Sequence, residues 1–209
     1  MRKKILDKIL QTETFLILTH IRPDGDAISS SIAMYYFLVS LGKKNENIEV
    51  CIPYISKDLS FVDRNNILKN KCTLKKHDLL IIVDCSDYER VEGSNLLEEF
   101  SAKQCIVIDH HEVSENSIKT ESRIIDTSAS SCTCIICREF SMYICKQNID
   151  SFFRSVAIGI MSDTIGLTLN VTDECKDILN YCKKVGINIE KIKEQLNNID
   201  IRTQTLANL

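Results

Sequence analysis

Aspartate and histidine side chains in four separate segments are the residues of this sequence best suited to chemistry. The triplet Asp109-His110-His111 directly follows the apolar run 105–108. Three further segments also place aspartates after or beside apolar runs, and they span residues 20–26, 79–84 and 159–164. Three of the chain's four histidines fall within this set. Because carboxylate oxygens and imidazole nitrogens bind divalent metal ions, the four segments together predict a metal site.

The number of carboxylates indicates more than one metal ion. Several carboxylates in one cleft repel one another and lose their charge unless cations compensate them. The candidate ligands include no cysteine, which favours Mn²⁺, Mg²⁺ or a related ion over a structural thiolate zinc site. Two ions bridged by a shared aspartate activate water and stabilise both the attacking and the leaving oxygen of a phosphoryl displacement. The sequence therefore predicts two-metal phosphate chemistry.

Two of the aspartates stand close together at the start of a predicted helix. Gly25 separates Asp24 from Asp26 and lets both carboxylates approach on a tight turn. The helix begins near residue 27, so its first amides and the hydroxyls of Ser29 and Ser30 are candidates for contact with a substrate phosphate.

Short apolar strands that alternate with helices must position these segments. Strands are predicted at 15–19, 48–52, 79–83, 105–108 and 123–125. Helices are predicted at 5–10, 27–41, about 130–146, 153–161 and, after residue 172, in two pieces that break around residue 186. This alternation predicts a doubly wound α/β fold with a mainly parallel five-stranded sheet and helices on both faces. Ligands in such folds gather beyond the carboxyl ends of the strands, where Asp24, Asp84 and His110 fall.

The composition limits the partners and the location of the protein. With 209 residues, 44% of them apolar, the chain suits one large domain or one domain with a helical appendage. A net charge of −3 and a pI near 5.8 give no general basic surface, so tight binding to long duplex nucleic acid is not expected. No apolar run approaches the roughly 20 residues of a membrane-spanning helix, and the ten cysteines are interpreted as reduced thiols. We therefore expect a soluble cytoplasmic protein with no membrane partner.

The four segments, in order over positions 15–170, resemble the motifs of the DHH phosphoesterase superfamily. Residues 19–28 and 83–87 are most similar to its bacterial oligoribonuclease (nano-RNase) and pAp phosphatase branch, which degrades very short RNAs and 3′-phosphoadenosine 5′-phosphate (pAp). The resemblance implies a manganese-dependent phosphohydrolase that acts on short oligoribonucleotides, on pAp or on both. The alternatives among enzymes are a related phosphodiesterase for cyclic or linear dinucleotides and a pyrophosphatase.

The same resemblance implies roles for individual residues. The implied metal ligands are His20, Asp24, Asp26, Asp84, His110 and Asp163. His20 and Asp24 would bind one Mn²⁺. Asp26, His110 and Asp163 would bind the other, with Asp84 as the bridge; Mg²⁺ and Co²⁺ are the other ions considered. Two residues are implied in catalysis: His111 would face the scissile phosphate, and Asp109 would fix a neighbouring histidine. Arg22 is a further candidate for contact with substrate phosphate.

The resemblance also implies a domain organisation. Residues 1–186 correspond to an N-terminal catalytic domain, and residues 187–209 to a helical connector toward a C-terminal substrate-binding domain that has no counterpart before residue 209. A catalytically incomplete metal-binding module is therefore the second class of function, and a homodimer is a further expectation. Outside the motifs, His77 is expected to be a solvated surface residue, while Cys132, Cys134 and Cys137 are expected to pack in the core.

Overall fold

A parallel β-sheet forms the centre of the fold. The computed structural model describes residues 2–71, 77–92 and 100–207. The strands in these ranges are β1 Phe15–Leu18, β2 Ile48–Cys51, β3 Leu68–Lys69, β4 Leu79–Val83, β5 Cys105–Asp109 and β6 Arg123–Ile125. They form one sheet in the order β3-β2-β1-β4-β5-β6, and every neighbouring pair is parallel. The carboxyl ends of β1, β4 and β5 therefore lie side by side.

The predicted α/β class and the five predicted strands are confirmed, and the sheet gains one strand. β3 is the sixth strand of the described residues, where five were expected. It contains only Leu68 and Lys69, which pair with Val50 and Cys51 of β2. An edge strand this short has no apolar run, so its position depends on pairing with β2 rather than on a local sequence pattern.

The α-helices pack against this sheet. Their bounds in the described ranges are α1 Arg2–Leu10, α2 Gly25–Ser40, α3 Cys132–Phe140, α4 Ile149–Asp163, α5 Asp173–Lys184 and α6 Ile189–Ala207. The helix predicted at 130–146 is shorter in the structure, because the backbone leaves the helical conformation at Phe140 (φ −127°, ψ −10°) and continues as the 3-10 turn Ser141–Tyr143. The Phe140 ring is fully buried and stacks on Phe37 with 4.5 Å between ring centroids. This packing fixes the chain where α3 ends.

Two hydrophobic clusters cover the two faces of the sheet. On one face Ile17, Ile81 and Ile106 pack with residues of α2, α3 and α4. On the other face Leu16, Leu80 and Val107 form a smaller cluster with Val91, against which Phe100 and Ile118 also pack. Helix α2 is deeply enclosed on the first face, since 13 of its 16 residues are buried. A buried helix of this kind is a rigid support for residues at its N-terminus.

The C-terminal helices follow the predicted pattern. Gly186 adopts φ +98° between α5 and α6, a conformation that glycine accepts without steric cost. The predicted break around this residue is confirmed. In the part of the chain that the structure describes, no helix has the length and the apolar character that crossing a membrane requires.

Most cysteines of the described ranges fill the core, and none of them is crosslinked. The nine cysteines of the described ranges are free thiols. Cys132, Cys134 and Cys137 of α3 are buried, so the prediction that they pack in the core is confirmed. Burial raises the pKa of Cys137 to about 12, which keeps this thiol protonated and unreactive.

The expectation that His77 is a solvated surface residue was wrong. His77 is only 8% exposed, and its Nε2 lies 2.8 Å from Oε2 of the fully buried Glu49 on β2. Lys69 contributes a second contact, with Nζ 3.2 Å from Oε1 of Glu49. A buried carboxylate requires a polar partner, and Glu49 recruits His77 from outside its own strand. The lysines that precede His77 made it look exposed, but Lys75 and Lys76 lie outside the described residues.

Candidate metal centre

The carboxyl ends of three neighbouring strands bring the motif residues together. His20 lies two residues beyond β1, Asp84 directly follows β4, and Asp109 ends β5 just before His110 and His111. β4 lies between β1 and β5 in the sheet. Parallel strands end at a common edge, so these side chains converge although up to 91 positions separate them in the sequence.

The six predicted ligands form two groups in the described residues. One group is His20, Asp24 and Asp84, and the other is Asp26, His110 and Asp163. Within each group one nitrogen or oxygen atom of every residue lies within 4.8 Å of those of the others. Asp84 also belongs to a third group with His110 and His111. The structure thus brings all six residues together. It places Asp84 next to His20 of the first group and next to His110 of the second.

Asp84 occupies the centre of the constellation. Its Oδ2 lies 3.5 Å from Nε2 of His20, and its Oδ1 lies 3.4 Å from Nε2 of His110. Oδ1 of Asp84 and Nε2 of His110 are buried and make no hydrogen bond of regular geometry among the described residues, although Nε2 of His110 also lies 3.1 Å from Oδ2 of Asp163. Two ligands that each lie about 2.1 Å from one ion are roughly 3.0–3.4 Å apart at the usual coordination angles. The spacing and the unpaired atoms therefore fit a cation better than they fit direct hydrogen bonds.

The backbone at Asp84 is in a conformation that is uncommon for residues other than glycine. Asp84 adopts φ +56°, in the left-handed region, while its amide donates to the carbonyl oxygen of Ile108 at 2.9 Å. Aspartate tolerates this region better than most residues, and the cost is of order 1–3 kcal/mol. The strand neighbour β5 thus holds a strained residue whose carboxylate, only 2% exposed, is directed between the histidines.

Asp24 and Asp26 are fixed by backbone amides. Asp24 is the N-cap of α2, and its Oδ1 accepts from the amides of Asp26 and Ala27 at 3.0 Å each. Asp26 is fully buried and accepts from the amide of Cys132 at 2.7 Å and from the hydroxyl of Thr133 at 2.8 Å. The N-terminus of α3 thus points at Asp26, where its dipole stabilises a negative charge. Sequence periodicity does not reveal this contact between residues more than 100 positions apart.

Gly159 of α4 makes room for the Asp26 contact. A Cβ atom at this position would lie 2.4 Å from Oδ1 of Asp26 and 2.4 Å from Oγ1 of Thr133. A glycine in the interior of a helix lowers helix stability by about 1 kcal/mol relative to alanine. The position therefore favours glycine because of the close approach of Asp26 and Thr133. An interior glycine in a predicted helix is the sequence signal that could have identified it.

Two histidines are oriented through their Nδ1 atoms. Nδ1 of His20 donates to the carbonyl oxygen of Ile21 at 2.8 Å, which leaves Nε2 as the ligand atom toward Asp84. Nδ1 of His111 lies 2.8 Å from Oδ1 of the buried Asp109, and this hydrogen bond raises the pKa of His111. The side chain of His111 remains 44% exposed. Its free Nε2 edge is therefore available to a ligand in the cleft.

Asp109 organises the histidine triplet. Its Oδ1 accepts from the amides of His110 at 2.8 Å and of His111 at 3.2 Å, in addition to the His111 ring. Burial raises the pKa of Asp109, but the hydrogen bonds outweigh burial and hold the pKa below its usual range. Asp109 thus remains ionised and holds the His111 ring in one orientation.

The electrostatics of the cluster require positive charge. Burial and then the neighbouring carboxylates of Asp84 and Asp163 raise the pKa of Asp26 well above its ordinary value. Burial lowers the pKa of His110, yet the carboxylates of Asp163 and Asp84 outweigh it and raise that pKa to about 11. Both shifts have the sign expected where negative groups exceed positive ones. The oxygen and nitrogen donor set therefore fits divalent cations, which would supply the missing charge.

Three other predicted substrate contacts have different outcomes. Ser29 and Ser30 are fully buried, so the hypothesis that their hydroxyls meet a substrate phosphate was wrong. They lie in the first turns of α2, but on the side that packs into the core. Arg22 is exposed, adopts φ +54° and forms part of the wall of a cavity that also includes Asp24. Arg22 thus borders the cavity beside Asp24.

The sequence and the fold are similar to those of known proteins. The profile of the DHH family, N-terminal domain, matches residues 14–160. The bifunctional oligoribonuclease and PAP phosphatase NrnA of Mycoplasma genitalium is 26% identical over 127 residues, which cover 61% of this chain and 39% of that protein. The cyclic-di-AMP phosphodiesterase PdeA of Listeria monocytogenes is 24% identical over 216 residues, which cover 94% of this chain and 32% of that protein. This chain thus spans between about a third and two fifths of the length of these two relatives.

A solved structure supports the same assignment of the fold. An exopolyphosphatase-related protein from Bacteroides fragilis superimposes with a TM-score of 0.77 at 22% identity, over 94% of this chain and 60% of that chain. The matched segment 14–160 contains every predicted ligand except Asp163, which follows it closely. Because the family profile spans more than half of the sequence, this chain belongs to the DHH family and carries its N-terminal domain.

Proposed function

We propose that this protein is a metal-dependent phosphohydrolase that cleaves phosphate esters of short oligoribonucleotides, of pAp or of both. The observation that carries the proposal is the position of Asp84, whose two oxygens face two different histidines. A carboxylate shared in this way suits a pair of divalent ions. The name of the NrnA relative supports the substrate class, since that protein is described as a bifunctional oligoribonuclease and PAP phosphatase.

The proposed roles follow the two groups of side chains. His20 and Asp24 would hold one ion, Asp26, His110 and Asp163 would hold the other, and Asp84 would contact both. When bound, the ions supply an activated water and stabilise the attacking and leaving oxygens of the phosphate. Mn²⁺ is our first choice for oxygen and imidazole ligands, ahead of Mg²⁺ and Co²⁺.

The second task of the residues is to bind and orient the substrate phosphate. Nδ1 of His111 hydrogen-bonds to Asp109, and its exposed Nε2 edge, when protonated, would donate a hydrogen bond to a non-bridging oxygen of the scissile phosphate. Asp109 acts through His111 and is a positioning residue. Arg22 would contribute a second positive group at the rim of the same cleft.

We propose further that residues 1–186 form the catalytic unit and that residues 187–209 form a connector. We also propose that this chain is active by itself.

The experiment is a substrate panel with metal analysis. The chain is assayed with Mn²⁺ on pApA, pAp, cyclic di-AMP and pyrophosphate, with Asp84→Asn as a variant of nearly equal volume. We expect turnover of pApA or pAp, and about two manganese ions per chain in the wild type. The PdeA relative makes cyclic di-AMP the second candidate substrate. Inactivity on all four compounds with both metals bound would rule out the hydrolase and leave a metal-binding module.

A further inference from the structure

A cavity of about 430 Å³ opens beside the metal centre. The roles proposed for the metal ligands, for Asp109 and for His111 do not account for this cavity. It shares Asp24 with the first ligand group. Its floor lies where α2 meets the end of α4, since a Cβ atom on Gly25 would lie 2.4 Å from Oγ of Ser162. Ser162 directly precedes the predicted ligand Asp163. The volume lies in the range of roughly 300–1,000 Å³ that small-molecule sites occupy.

The walls of this cavity combine cationic and apolar side chains with two carboxylates, those of Asp58 and of Asp24, which the first ion would neutralise. Arg22 and Lys193 stand on its rim, from the loop after β1 and from α6. Leu59, Met161 and Ile165 contribute apolar surface. The Lys193 stem passes over Gly166, because its Cε would lie 3.5 Å from a Cβ added at that glycine. Such walls suit a molecule with one anionic group and one flat apolar group.

A strained turn presents Ile165 to this cavity. Ile165, Gly166 and Leu167 all adopt positive φ, at +47°, +64° and +70°. The conformation is unusual for Ile165 because its side chain is β-branched, and the side chain remains 54% exposed. The hydroxyl of Thr164 holds the turn by donating to Ile160 at 2.7 Å and accepting from the amide of Leu167 at 3.1 Å. Strain at an exposed apolar residue next to a cavity suggests a binding role rather than a packing role.

We propose that this cavity, which we call the Arg22–Lys193 cavity, is a nucleotide subsite. It would hold the base of the substrate against Ile165, while Arg22 and Lys193 pair with a second phosphate that is not cleaved. The proposal rests on the proposed function and adds a selection rule to it. Substrates that carry a second phosphate one nucleoside away from the scissile phosphate are preferred over simple phosphate esters.

The test measures binding of AMP, which supplies one base and one phosphate, to the full chain with Mn²⁺ by titration calorimetry. Lys193→Glu is compared with Lys191→Glu, because Lys191 is also exposed on α6 but does not line the cavity. We expect the dissociation constant to rise about tenfold in Lys193→Glu, from the loss of a charge-assisted contact. The control variant should stay within about twofold of the wild type.

A second variant addresses the apolar wall without endangering the fold. Ile165→Gly removes the side chain at a position whose backbone glycine prefers, so the folded state should be retained. We expect AMP binding to weaken about fivefold. Equal affinity of both lysine variants, or no AMP binding by the wild type, would overturn the assignment of the cavity.

Kinetics separate a failure of the cavity from a failure of the proposed function. The ratio of kcat/KM for pAp to kcat/KM for p-nitrophenyl phosphate should fall about tenfold in Lys193→Glu, because only pAp has a second phosphate. AMP binding that depends on Lys193 in a chain without hydrolytic activity would refute the proposed function and keep the subsite. Hydrolysis with an unchanged ratio would refute the subsite and keep the proposed function.

Discussion

Gly159→Ala is the substitution whose effect can be worked most directly from the structure. The added methyl would lie 2.4 Å from Oδ1 of Asp26, 2.4 Å from Oγ1 of Thr133 and 2.5 Å from Cγ2 of Thr133. Forcing a methyl into a packed site costs about 1–3 kcal/mol, and displacing a buried hydrogen bond costs about 1–3 kcal/mol more. Alanine regains about 1 kcal/mol of helix propensity. The free energy of unfolding should therefore fall by about 3 kcal/mol, a large part of the 5–15 kcal/mol typical of a folded protein.

Urea denaturation of the metal-free protein measures this loss. Gly42→Ala is the control, because no atom lies within 4 Å of its added Cβ and only its φ of +85° is unfavourable, at about 1–2 kcal/mol. A Thr133→Ala background removes Oγ1 and Cγ2 of Thr133, which are two of the three close atoms. In this background Gly159→Ala should therefore lower the free energy of unfolding clearly less than in the wild type. A gain in stability from Gly159→Ala, as helix propensity alone predicts, would refute the reasoning. An equal loss in both backgrounds would show that Thr133 is not the obstacle.

Three further predictions concern the metals and the buried Glu49–His77 pair. Asp84→Asn should bind less manganese, as measured by metal analysis. Its kcat/KM should fall by the equivalent of more than about 3 kcal/mol of transition-state stabilisation. Unchanged manganese content would contradict the bridging role. Mn²⁺ at about 100 times its dissociation constant should raise the free energy of unfolding by about 2.7 kcal/mol for each ion bound, and a chelator should reverse this in a thermal melt. His77→Ala should lower the free energy of unfolding, measured by urea denaturation, by about 1–3 kcal/mol, because it removes a partner of the buried Glu49. Lys69→Ala should lower it by less than about 1 kcal/mol, because the Lys69 side chain is 39% exposed. The reverse order of these two losses would show that Lys69 is the main partner.

The position of the candidate site could be predicted because it depends on strand ends. Apolar runs ending just before Asp84 and at Asp109 identify β4 and β5 from local sequence alone. In a parallel sheet such ends meet whatever the details of packing. The order of His20, Asp84 and His110 along the chain was therefore enough to expect one cleft. The resemblance to the DHH motifs pointed to the same side chains, and the family match now supports it.

The support of the site could not be predicted in the same way. The contact between Asp26 and the N-terminus of α3 joins two helices across the core, and no period within either helix encodes it. The positive φ of Asp84 suits an aspartate, but it depends on how β4 and β5 are paired, which no local sequence pattern encodes. The prediction for Ser29 and Ser30 failed for a related reason. Position near a helix start indicates which amides are free, but not which hydroxyls face the core.

The two kinds of carboxylate in the cluster explain why metal binding and stability can be separated. Asp26 receives hydrogen bonds on both oxygens from the start of α3, so it ties two helices together even without an ion. Asp84 has a buried oxygen without such a partner, and its nearest polar neighbours are histidines. Replacing Asp26 therefore removes a fold contact together with a ligand. Asp84→Asn mainly removes a ligand, and in the metal-free state the repulsion it relieves at the buried Asp26 and at Asp24 offsets the attraction it loses to His20 and His110. The metal-free Asp84→Asn protein should accordingly be as stable as the wild type, or more so, although it binds manganese less well.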